Sequence, residues 1–180
     1  MTNDVELRRE LWREANRVFV DAEYTGRQHM LAGQRWRTKA TRIGLPVTII
    51  TAAASAGAGL SALLGWGTAP TVILGFIGAL AGAVQAFFKP DDQAEAHSVK
   101  GNAIIALRND ARRFMNIDLQ SSISTDALVD RARLLGTRYD ALRAQEPLQL
   151  PPDAYAIVKA AIARGDYDHE NDPLWRDPPF

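Results

Sequence analysis

His29, His97 and His169 are the side chains best suited to exchange a proton near neutral pH or to bind a metal, and they are scattered through the chain. None has a second ligand at helical metal spacing. Asp91, Asp92 and Glu95 do gather with His97, where a divalent ion is conceivable. Acidic residues at the start of a helix are explained as simply by the positive end of the helix dipole. Asp166, Asp168, Glu170 and Asp172 alternate like the opening of a calcium loop, but Asn171 stands where that loop needs glycine and no glutamate closes it. A solvated acidic tail fits better. There is no glycine-rich phosphate loop and no nucleophile elbow. With 0 cysteines among 180 residues, disulfides, thiol nucleophiles and thiolate metal sites are excluded. No catalytic residue, metal site or cofactor is expected, and the chain reads as a protein that is not an enzyme.

A different kind of chemistry is offered by hydroxyls and small residues. From Ile43 to Phe88 the chain runs 46 residues without Asp, Glu, Lys, Arg or His, broken near its middle by Gly65-Trp66-Gly67-Thr68-Ala69-Pro70. Helices over 46–64 and 71–88 would each rise about 27 Å, close to the thickness of the hydrocarbon core. The expectation is an all-α membrane protein built on a two-helix transmembrane hairpin, with a cytoplasmic helical body formed by its N- and C-terminal helices. On the helical wheel Thr48, Thr51, Ser55, Gly59 and Ala62 form one stripe of the first helix. In the second, Thr71, Gly75, Gly78, Ala79, Gly82, Gln85 and Ala86 form the small face. Ile73, Phe76, Ile77, Leu80, Val84, Phe87 and Phe88 form the bulky one.

Two readings of these stripes stay open. Gly59, Gly75, Gly78 and Gly82 suit close helix packing, with each hydroxyl bonded back to its own helix. Alternatively, Thr48, Thr51, Ser55 and Gln85 line a wetted path, which requires several copies around an axis because two helices enclose nothing.

The elements around this run are helical throughout, with no alternating strand pattern. A charged helix opens at Asn3 and Glu6, with Leu7, Leu11, Ala15, Val18 and Ala22 at three- and four-residue steps. It continues toward the uncharged run, loosened at Gly26 and Gly33. A second helix starts at Pro90 and runs to about Asn116 on Ala103, Ile104, Leu107, Ala111, Phe114 and Met115. Another spans Thr125 to about Gln145, and a short one runs from Asp153 to a left-handed cap at Gly165. Four regions follow: an N-terminal helical segment (1–42), the hairpin (43–88), a helical region (89–165) and an acidic tail (166–180).

Lys and Arg total 21, as do Asp and Glu, so the formal charge is zero, yet its layout is uneven. Residues 1–42 carry nine bases and six acids, with Arg35, Arg37, Lys39 and Arg42 next to the uncharged run. Basic flanks mark the cytoplasmic side of a bilayer and attract anionic headgroups. Both termini are therefore expected in the cytoplasm, with the lipid bilayer and further copies of the chain as partners and no nucleic acid.

The order of parts resembles the SLATT family, bacterial two-span modules found beside nucleotide second-messenger synthases and nucleotide-sensing domains. The resemblance covers Tyr24 to Ala160. It rests on Tyr24 and His29 leading into Arg35–Arg42, the short-turn hairpin, Gln85-Ala86-Phe87-Phe88, and Ala94-Glu95-Ala96-His97 with Leu107. Arg138-Tyr139-Asp140-Ala141-Leu142 runs into Glu146-Pro147 and Leu150-Pro151. Ile104 stands where an aromatic residue is expected. The resemblance implies a pore-forming effector of a bacterial antiphage or conflict system, permeabilising the inner membrane when a nucleotide signal or a partner protein triggers its assembly. A non-conducting membrane scaffold that recruits cytoplasmic proteins is the alternative.

Overall fold

The structure, a computed structural model, describes residues 2–64, 69–145 and 148–167, with the side chains of 2, 3, 58–64, 70, 71, 74 and 85 excluded. Among the described residues five α-helices follow one another: α1 (Thr2–Leu64), α2 (Ala69–Phe88), α3 (Pro90–Asn116), α4 (Thr125–Ala144) and α5 (Ala154–Ala163). A single 3-10 turn, Asp118–Gln120, follows α3. No strand occurs among the described residues. The chain divides into two compact units, one of Met1–Ala32 with Ala96–Phe180 and one of Gly33–Glu95.

Local chemistry sets the helix ends. Pro90 is the first residue of α3, a position whose N–H has no partner within the helix anyway, and Asp91 and Asp92 follow in the first turn. The chain after α5 turns at Gly165 with φ 76°, where the absence of a side chain removes the steric penalty. Gly26 and Gly33 do not loosen α1, which runs through both without interruption. Pro46 also lies inside α1 and leaves the Arg42 carbonyl without its helical donor.

The first unit is held by a cluster in which Trp12, Val18 and Phe19 of α1 meet Leu107, Phe114 and Met115 of α3 and Leu128, Leu135 and Tyr139 of α4. Arg8 closes the open end of this core. Its guanidinium donates to the carbonyls of Leu119, Ser121 and Ile123, which the turn after α3 leaves without helical partners. Thr125 Oγ1 donates to Asp4 Oδ1 at 2.7 Å, pinning the start of α4 to the start of α1. α5 adds Ala154, Val158 and Ala161 to the buried set, and its Tyr155 ring lies 5.7 Å from that of Tyr24.

Glycine sets how closely α1 and α3 approach. A Cβ on Gly101 would stand 3.2 Å from both the Gly26 carbonyl oxygen and the Met30 nitrogen, so backbone faces backbone there. A Cβ on Gly26 would stand 2.9 Å from the Cγ1 and Cδ1 atoms of Ile105, a side chain that can rotate away. Gly101→Ala is therefore expected to cost about 1–3 kcal/mol in urea unfolding. Gly26→Ala should cost less. Equal losses would show that backbone contact does not limit the approach.

The second unit corrects the fold expected from the sequence. Among the described residues, no helix is long and apolar enough to cross a membrane, so the two-helix transmembrane hairpin over 46–64 and 71–88 is not supported. Absence of charge is not the same as apolarity. Much of the uncharged stretch is Ala, Gly, Ser and Thr, whose transfer into hydrocarbon releases little free energy. The turn at 65–68 lies outside the described residues. Nor is the stretch a buried soluble core, because Val72, Ile73, Phe76, Leu80 and Phe87 of α2 are all more than half exposed.

Candidate functional site

In the first unit, α1 and α3 bring together polar side chains from distant parts of the sequence on an otherwise apolar seam. Trp12, Ala15, Phe19 and Ala22 define the buried stripe of α1, and Glu23 and His29 continue it at helical spacing. On α3 the same period runs through His97, Gly101, Ile104, Arg108, Ala111 and Met115. The stripes meet with Glu23 and Arg108 facing each other. Arg108 Nε lies 2.7 Å from Glu23 Oε2, a contact held by charge rather than by an aligned hydrogen bond. Arg27 Nε donates to Glu23 Oε1 at 2.9 Å, so one fully buried carboxylate is shared by two guanidiniums. Phe19 covers Arg108, with the guanidinium carbon 5.1 Å from the ring centroid.

Farther along the seam, His29 Nδ1 and His97 Nδ1 are 3.0 Å apart, and both rings are buried. A bond between two ring nitrogens needs one donor and one acceptor, so the neutral rings hold opposite protonation at Nδ1. Burial, then His97, then Lys100 hold His29 down to about 4. Burial and then Lys100 also lower His97. This seam was not anticipated as a site. Its signal was present in the sequence, since Glu23, His29, His97 and Arg108 all fall on apolar stripes, where an unpartnered polar residue is costly.

Asp91, Asp92 and Glu95 are exposed whereas His97 is buried against His29, and no group of three metal-binding side chains occurs among the described residues. The tail beyond residue 167, with His169 and most of the calcium-like pattern, lies outside the described residues.

The second unit places the residues expected to pack helices or line a path. Thr48, Thr51 and Ser55 are exposed, and each hydroxyl donates to the carbonyl four residues earlier, on Gly44, Val47 and Thr51, at 2.9 Å. Their hydrogen bonding is met within α1. Gly78 is buried where α2 approaches α1, and a Cβ there would stand 3.3 Å from Thr51 Oγ1. Gly75 and Gly82 have nothing within 4 Å of a Cβ. The side chain of Gln85 and the surroundings of Gly59 lie outside the described residues. Of the basic group, Arg37, Lys39 and Arg42 are exposed, Arg35 is half-buried, and Lys39 Nζ lies 4.4 Å from the Trp36 ring centroid. Along α2, Ile73, Phe76, Ile77, Leu80, Val84, Phe87 and Phe88 recur at three- and four-residue steps as an exposed apolar row.

A groove of about 390 Å³ on the first unit is lined by Arg113, Arg131 and Arg138, residues able to hold an anion. Two of them are already engaged, Arg131 with Asp118 at 2.7 Å and Arg138 with Asp110 at 3.3 Å. No family model matches the chain, and no curated protein or solved structure matches it.

Proposed function

We propose that this chain is a non-enzymatic effector that acts on a membrane by assembling. Its apolar unit is the working part and its helical body the restraining part. The observation that carries this reading is the exposed row on α2, where Phe76 is 70% and Phe87 82% exposed. Large apolar side chains aligned on one helix face mark a surface that meets lipid or protein. No helix need cross the bilayer. Apolar faces gathered from several copies can sink into the boundary between headgroups and acyl chains and disorder it. Arg37, Lys39 and Arg42 would add attraction to anionic headgroups. The bacterial inner membrane, the antiphage setting and a nucleotide or partner trigger rest on the SLATT resemblance alone.

A membrane-bound adaptor that does not permeabilise is the second reading, favoured by the back-bonded hydroxyls of Thr48, Thr51 and Ser55, which have no need of water. Dye release from anionic vesicles separates the two. The unmodified chain should release dye, and Phe76→Asp with Leu80→Asp should reduce release at least tenfold while leaving the helical signal unchanged. Vesicle binding without release would favour the adaptor. Release that persists in the double variant would remove α2 from the working surface.

A further inference from the structure

We propose that the buried His29–His97 pair is an acid-sensitive latch that holds α1 against α3 while both rings are neutral and lets the seam open when they take up protons. This goes beyond the membrane reading and does not depend on it. The two Nδ1 atoms are 3.0 Å apart, the ring centroids are 5.2 Å apart, and the rings are 4% and 1% exposed. One proton fits between the nitrogens. Two would oppose N–H to N–H at that distance, and the rings would have to separate.

A single added proton preserves the bond but places a cation where water does not reach. Charges on the neighbouring elements do not favour it. Lys100, one turn along α3, repels a charge on either ring. Glu23 on α1 is the acid of the seam, and Arg27 and Arg108 already occupy it. At α5, whose Tyr155 packs on Tyr24, Lys159 and the preceding Asp153 are exposed. The helices cannot relieve the strain by closing further, because Gly101 already meets the backbone of Gly26 and Met30. Separation is the remaining response. It would come where the chain leaves this unit after Ala32 and re-enters at Ala96, a few residues from His29 and His97.

The sign follows from linkage. The folded pKa of His29 is lowered to about 4 from the 6.5 of a free ring, so between those values the open seam binds more protons than the closed one. The stabilisation is fully present above that window and is lost as pH falls through it.

Two measurements on the full chain without lipid test the latch. In a His169→Gln background the two remaining imidazoles are followed by NMR, and at least one should titrate well below 6.5. Amide exchange, corrected for intrinsic rates, should show protection over residues 26–32 and 97–104 falling at least tenfold from pH 7 to pH 5. In the His29→Asn, His97→Asn variant, which keeps donors and acceptors but cannot titrate, the fall should be less than twofold. Rings that both titrate near 6.5, or an equal fall in the variant, would overturn the latch. Because no membrane is present, neither result depends on what α2 does.

Discussion

Replacing Glu23 by alanine should lower the unfolding free energy by about 3–5 kcal/mol, the range found when one partner of a buried ion pair is removed. Arg108 is 6% exposed, and without Glu23 its charge would remain inside the seam with Phe19 over it. Arg27 is more exposed and can turn toward water. The loss therefore belongs mainly to Arg108. Replacing both partners by apolar residues of similar size, Glu23→Leu with Arg108→Met, should recover most of it, because the pair must offset a large desolvation cost before it stabilises anything. Urea unfolding followed by circular dichroism measures both variants. A loss under 1 kcal/mol in Glu23→Ala would mean that water or another acid reaches Arg108.

Phe114→Ala should be comparably severe, at about 3–5 kcal/mol. The ring is 2% exposed and belongs to the cluster that joins α1, α3 and α4, so its removal withdraws apolar surface from three helices and leaves a cavity among them. Val99 on the same helix is 62% exposed, and Val99→Ala should change stability by no more than about 0.5 kcal/mol. The denaturant slope should stay constant in both. Similar effects at the two positions would show that the cluster is not the core of its unit.

Helix ends were legible because their signals are local: Pro90 opens α3, Thr125 opens α4, and Gly165 adopts the left-handed turn. The apolar positions of α3 were legible for the same reason, and Ile104, Leu107, Ala111, Phe114 and Met115 are all buried. What misled was the stretch from Ile43 to Phe88. An uncharged run of bilayer length does not by itself make a crossing, because the energetics depend on how much apolar surface each residue carries. The polar seam went unread for another reason. His29 and His97 are 68 positions apart, and neither has a local partner that reveals the other. Their place on apolar stripes shows that they are buried but not what they meet.

Lys89 separates α2 from α3 by a single residue, at φ 41°, with its carbonyl accepting from the Gln93 N–H at 3.1 Å. A side-chain-bearing residue in that conformation costs about 1–2 kcal/mol, and the proline that follows narrows its choices further. Such a joint has no slack. A flexible linker would let α2 swivel while the start of α3 stayed still, absorbing the motion as disorder. Here one residue ends one rod and caps the next, so a torque on α2 is borne by Pro90–Glu95 as by a bent lever.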